Sequence, residues 1–265
     1  MKKIIKRILI IICVITLCIV SYQLYGYYKQ FKYQDDEDKT LIAEIKQLAE
    51  DNESNETDGT FIPDANTYGI LHNINSDYRG WILWNNFMIS TPLMQESTES
   101  SDYYMHHNIY GNYVIGGSAF IDSEANLTDD NLTIYGHSVF LTNTITTGQM
   151  LSNLHKLENQ SYFDISDNRT FKIYWENEIA EYEVIAVDEI NESTTTWNYA
   201  WSNFTDESYY NEWISCARKG SLVTPYIDTQ YGDKYVTFQT CKYYQGDERI
   251  VVVAKEISRN VYETD

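Results

Sequence analysis

The feature that most constrains this 265-residue chain is a series of eight short runs rich in β-branched and aromatic residues, at 80–84, 87–93, 118–122, 131–135, 170–175, 180–188, 234–240 and 249–257. Side chains that branch at Cβ or carry a ring pack well on a pleated surface, so each run reads as a strand. Strands need partners and an apolar face to bury, and this many at this spacing point to a barrel or a sandwich. Two helical segments interrupt the series. One lies at 149–157, the other at 206–219, where Tyr209, Tyr210, Trp213, Ile214 and Ala217 recur at helical spacing. Trp197, Trp201 and Trp213 lead us to expect the wider segment 189–233 around this second helix to be packed.

The chain opens on Lys2, Lys3, Lys6 and Arg7, followed by an almost uninterrupted apolar stretch from 8 to 20 that tapers through Ser21, Tyr22, Leu24 and Tyr25. Counted from Ile4, the span is about the 20 residues a helix needs to cross a bilayer. No small-x-small cleavage site follows. The expectation is therefore a single-pass membrane anchor with its N-terminus in the cytoplasm and the remainder of the chain extracellular. A cleaved signal peptide is the competing reading and would change attachment, not compartment. The chain then divides into a basic tail and anchor (1–28), a helical linker (29–60) and one globular domain (61–265) large enough for a full core. In the linker, Leu41, Ile42, Ile45, Leu48 and Ala49 fall on one helical face, and 51–59 is polar and aperiodic, as a hinge would be.

All six basic residues before Asp35 lie in or beside the anchor, so residues 35–265 carry 13 Lys and Arg against 39 Asp and Glu, a net charge of −26. Nucleic-acid binders carry a basic footprint, and this charge argues against that class. Of the four cysteines, Cys13 and Cys18 lie in the apolar span, and Cys216 and Cys241 are too few for a disulfide framework. A single permanent bridge between those two would silence Cys241 as a nucleophile. No Cys/His/Asp/Glu cluster has metal-ligand spacing and no Gly-rich phosphate loop occurs, so neither a metal nor an organic cofactor is expected.

Chemistry is suggested by the run Tyr-Val-Thr-Phe-Gln-Thr-Cys-Lys, in which Cys241 ends one strand, and by Arg249 at the head of the next. A thiol at a strand end is presented at a rim instead of sealed in the core. If the two strands form an antiparallel hairpin around the loop 242–248, the Arg249 guanidinium returns close to it, a permanent cation able to stabilise a thiolate or an oxyanion. His137, directly after the strand 131–135, is the best placed of five histidines to act as acid or base, with Gly136 allowing a sharp exit and the loop aiming the ring across the barrel mouth. His106 and His107 read as structural, and His72 and His155 fall on surfaces with nothing to recommend them. Spacing alone does not separate a reactive cysteine from an inert buried one.

Six segments taken together do. Asn73-Ile-Asn-Ser-Asp-Tyr-Arg-Gly-Trp-Ile82, Asp102-Tyr-Tyr-Met-His-His-Asn-Ile-Tyr-Gly111, Gly117-Ser-Ala-Phe-Ile-Asp122, Ile134-Tyr-Gly-His137, Thr237-Phe-Gln-Thr-Cys241 and Arg249-Ile-Val-Val-Val253 closely resemble, in the same order, the class B sortases, cysteine transpeptidases of Gram-positive surfaces. The resemblance implies a mainly β fold: a closed barrel with an N-terminal helix and a helix-bearing insertion, here 189–233, before the cysteine strand. It places the nucleophile on Cys241, the histidine on His137 and the arginine on Arg249, with substrate contacts at Thr240, Gln239 and Phe238. Phe238 stands where Leu is usual and Gln239 occupies the variable position. A soluble papain-like protease would put its cysteine at a helix start ahead of its histidine, the reverse of the order here.

The family cleaves a C-terminal sorting motif of secreted proteins, of Asn-Pro-x-Thr-x type in class B, after its Thr, and passes the acyl group from a Cys thioester to a peptidoglycan amine. The resemblance therefore implies sorting-motif proteins and a wall-precursor amine as partners, no nucleic acid, and no cofactor. Two alternatives stay open at this stage: a pilin-polymerising sortase, against which the absence of an Asp-Pro-Trp or Asp-Pro-Phe lid counts, and a non-catalytic membrane-tethered barrel.

Overall fold

Element α1 (Lys2–Ala49) is one uninterrupted helix. The computed structural model describes residues 2–49, 61–96, 102–140, 144 and 146–262, so the hinge expected at 51–59 lies outside the described residues. Anchor and linker helix merge because no Pro, and no Gly after Gly26, intervenes to break the backbone hydrogen-bond ladder. Its segment Lys3–Gly26 is long and apolar enough to cross a bilayer, and its Ile and Leu side chains are exposed. Residues up to Glu44 form one compact unit and Ile45–Asp265 a second.

In the second unit, α2 (Ala65–Ile74) starts at Asp64, whose carboxylate accepts from the Asn66 and Thr67 amides in a reciprocal capping arrangement with Thr67. The strands follow as β1 (Tyr78–Trp84), β2 (Ser90–Gln95), β3 (Ala119–Ile121), β4 (Asn131–Tyr135), β5 (Ser138–Phe140), β6 (Thr146–Met150), β7 (Thr170–Tyr174), β8 (Glu178–Asn191), β9 (Tyr235–Cys241) and β10 (Glu248–Val261). Eight of them close a barrel in the order β1-β2-β3-β4-β9-β10-β8-β7, while β5 and β6 form a separate hairpin. The β2/β3 and β4/β9 pairs are parallel and the other barrel pairs antiparallel. Closure removes the sheet edges, so every long strand is paired on both sides.

Two expectations shift. The run 87–93 begins as a turn: Phe87 adopts φ 58° and its amide bonds to the Trp84 carbonyl at 2.8 Å, so β2 starts only at Ser90. The helix expected at 149–157 is the end of β6 followed by a 3-10 helix, Leu151–Glu158. The β5/β6 hairpin went unread because its strands are short, partly exposed and carry no apolar alternation.

Side-chain alternation decides what faces what. In β9, Val236 and Phe238 point into the barrel and pack with Trp84, Phe171, Tyr182, Ile250 and Val252. Phe238 lies 5.2 Å from the Phe171 ring centroid and 5.6 Å from Trp84. Residues of the opposite parity, among them Tyr235, Val251 and Val253, face outward and are covered by the insertion, which contributes Trp197, Tyr199, Phe204, Tyr210, Trp213 and Ala217. The helix of the insertion, α3 (Glu207–Gly220), is capped by Asp206 and buries its aromatic stripe here. The insertion is thus packed, as its tryptophans led us to expect.

Candidate active site

On one side of β9, β10 pairs with Cys241 directly opposite Arg249. On the other, β4 runs parallel as far as the pair Tyr135↔Gln239. Two residues beyond that pair come His137 and Cys241, at the same step and with the parity that faces outward. The Thr240 hydroxyl donates to the Gly136 carbonyl at 2.8 Å and ties the two strand exits together. Cys241, His137 and Arg249 therefore gather on the outer face of the barrel, at the ends of adjacent strands, and not across its mouth. A Cβ at Gly136 would lie 2.9 Å from Leu151 Cδ1, so any side chain there would require that leucine to shift.

His137 is held from behind. It hydrogen-bonds the Met105 backbone, its ring centroid lies 5.3 Å from that of His106, and its Nε2 is buried with no partner. Burial first, and the neighbouring imidazole second, bring its pKa down to about 4. The turn that carries Met105 and His106 is locked by Gly117, at φ 56°, where a Cβ would meet the Tyr104 and Met105 carbonyl oxygens at 2.3 Å. Cys241 is half-buried and, like Cys216, a free thiol. Burial pushes its pKa up, the Arg249 charge pulls it down and Glu192 pushes it up again, leaving a net rise. At neutral pH both groups therefore rest uncharged, as a thiol and an imidazole.

Arg249 is already engaged. Nη1 donates to the Gly246 and Glu248 carbonyls at 2.9 and 3.1 Å, and Nη2 pairs with Glu192 Oε2 at 2.7 Å. The three expected substrate contacts are placed differently from one another. Phe238 is fully buried in the barrel core, Thr240 is buried with its hydroxyl spent on Gly136, and only Gln239 lies on the outward face. A cavity of about 270 Å³ lies on that face beside β4, lined by Asn131, Thr133 and Tyr135 together with Asp122, Ala200 and Ser202. A larger one, about 650 Å³, is at the start of β9 near Lys234 and Tyr235, roughly 20 Å of strand away from Cys241. Among the described residues no group of three or more His, Cys, Asp or Glu side chains is arranged to hold a metal ion.

Sequence reasoning passed over His155. Its Nε2 lies 3.1 Å from the Cys241 carbonyl oxygen and 2.9 Å from Ser138 Oγ, and its Nδ1 lies 3.2 Å from Glu158 Oε1. It is partly buried beneath the strand end instead of lying on a free helix surface. Glu158 also pairs with Lys242, which reaches Glu189 at 3.3 Å. The i, i+3 spacing of His155 and Glu158 was visible as a pair, but nothing in the sequence tied it to Cys241.

An eight-stranded barrel that ends its cysteine strand beside an arginine on one neighbour and a histidine on the other is the arrangement of a sortase, and a family model described as the sortase domain matches residues 87–257. The chain belongs to the sortase family. Within it, the chain is a class B enzyme. It is 25% identical over 193 residues to sortase B of Listeria monocytogenes, covering 71% of this chain and 73% of that protein. It is 26% identical over 191 residues to sortase B of Staphylococcus aureus, with the same coverage. The crystal structure of Clostridium perfringens sortase B superposes with a TM-score of 0.63 at 31% identity, covering 72% of this chain and 99% of that one. The protein is accordingly a sortase-type cysteine transpeptidase.

Proposed function

We propose that this transpeptidase acts at the cell surface, held by the helix segment Lys3–Gly26 with its catalytic domain outside the membrane, on secreted proteins that carry a C-terminal Asn-Pro-x-Thr-x motif. Cys241 passes its proton to the Nε2 of His137, and its Sγ attacks the Thr carbonyl carbon. The Arg249 guanidinium stabilises the oxyanion or aligns the peptide backbone. His137, now an imidazolium, returns the proton to the leaving amine as the C–N bond breaks and a Cys241 thioester remains. An amino group of the peptidoglycan stem or cross-bridge then attacks the thioester, restores the thiol and completes the amide. The proton that departs with the first amine is replaced by one from the attacking amine, taken up by His137 and passed to the Cys241 thiolate, so the exchange consumes no external acid or base.

The observation that carries this reading is the register: Cys241 opposite Arg249 in β10 and level with His137 beyond β4. Staphylococcus aureus sortase B has been solved as a substrate complex, and a sortase B has been solved with triglycine, which supports peptides on both sides of the exchange as the pair to test. The test is intact-mass analysis of the full-length protein in detergent, incubated with an Asn-Pro-x-Thr-x peptide library and an amine acceptor. A thioester adduct and an amide product, both lost in Cys241→Ala, are expected. A product that survives Cys241→Ala would overturn the assignment of the nucleophile, and adducts only with other motifs would overturn the substrate.

A further inference from the structure

Antiparallel pairing leaves alternate residues of a strand with their backbone groups pointing away from the partner. The Lys242 amide donates to the Glu248 carbonyl, so Cys241, one residue earlier and opposite Arg249, turns its own carbonyl away from β10 and toward the β4 side. The β4 register has ended by then, at Tyr135↔Gln239, so the sheet supplies no donor for that carbonyl. His155 supplies it, from the 3-10 helix Leu151–Glu158, through Nε2 at 3.1 Å.

We propose that His155 is a positioning residue for the nucleophile, part of a brace with Ser138, Glu158 and Lys242 that fixes the peptide joining residues 241 and 242. The inference rests on the reading of Cys241 as nucleophile. The ring is itself constrained on every side. Nδ1 faces the Glu158 carboxylate at 3.2 Å, Nε2 faces the Cys241 carbonyl and Ser138 Oγ, and the Phe140 ring meets it edge-on at 6.0 Å. Glu158 continues the brace to the residue after the nucleophile by pairing with Lys242, which Glu189 of β8 holds from the other side. The carbonyl and the following side chain are thus fixed by the same carboxylate–imidazole pair. A thiol half-buried at the last position of a strand depends on such fixing, because the sheet holds its backbone on the β10 side only.

The test compares full-length wild-type protein with His155→Ala, His155→Phe, His155→Gln and Cys241→Ala by the single-turnover rate of thioester formation, with active sites counted by alkylation of Cys241. His155→Ala and His155→Phe, which lack a donor, are expected to lower the acylation rate per active site by about 10- to 100-fold with peptide KM changed by less than about threefold. His155→Gln, whose amide can donate to the same carbonyl, is expected to recover most of the loss. Phe fills the space that Ala vacates, so a folding failure of the alanine variant leaves the comparison intact. Equal rates per active site in Phe, Gln and wild type, or a loss confined to KM or to the fraction folded, overturn the proposal. Persistence of thioester in Cys241→Ala overturns instead the nucleophile assignment on which it rests.

Discussion

Arg249 stands directly opposite Cys241 in the β9/β10 pair, yet its guanidinium is paired at 2.7 Å with Glu192, a residue of the insertion. The cation that lowers the thiol pKa is therefore partly countered by a carboxylate that raises it. The insertion contributes to the electrostatics of the site as well as to its covering.

Replacing Glu192 by Gln is expected to move the Cys241 thiol titration to lower pH, and Arg249→Met to move it higher, both read from the pH dependence of alkylation by iodoacetamide. Arg249→Met should also reduce kcat/KM about 100-fold or more, the usual cost of removing a donor to an oxyanion. No movement of the thiol titration in Glu192→Gln would show that the ion pair is not maintained in solution.

The pH dependence of acylation follows from the resting pair. His137 takes up a proton only near pH 4, and Cys241 loses its proton only above the ordinary thiol value of 9.0. Between these limits the pair holds one proton, whether as thiol and imidazole or as thiolate and imidazolium, so kcat/KM should be level from about pH 6 to pH 8. The acid limb is expected close to pH 4. A limb at the ordinary histidine value of 6.5 would mean that His137 is solvated in the working enzyme.

Asp188 in β8 is buried, its Oδ2 has no hydrogen-bond partner, and burial alone raises its pKa to about 8. A raised folded-state pKa contributes stability that is full below the unfolded value of 3.8 and is lost as pH rises toward 8. Asp188→Asn should abolish that slope and be more stable than wild type by about 2–4 kcal/mol at pH 8, with the two converging near pH 4. Chemical denaturation at the two pH values decides this, and parallel curves would show that the carboxyl is solvated.

Phe238 is in the barrel core, in contact with Trp84 and Phe171, so its substitutions should act on stability and not on substrate choice. Phe238→Ala is expected to cost about 3–5 kcal/mol, whereas Phe238→Leu should cost much less and leave peptide KM unchanged. A changed motif preference in Phe238→Leu would place that ring against substrate after all.

The eight strands of the barrel were legible in the sequence because β-branched and aromatic runs announce themselves locally, and so were α3, whose apolar stripe has helical period, and the apolar span within α1. The juxtaposition of Cys241 and Arg249 was legible as the end of one such run and the start of the next, which a hairpin must bring together. What sequence could not specify was parity and closure. Whether His137 reaches Cys241 across a mouth or along an outer face depends on β4 lying parallel to β9, a pairing between residues about 100 positions apart. The same closure turned Phe238 and Thr240 inward and Gln239 toward the outer face, where it too is buried. It also brought His155, which local pattern marked as a surface histidine, beneath the carbonyl of Cys241, because only a folded barrel reveals which backbone groups its ladders leave without a donor.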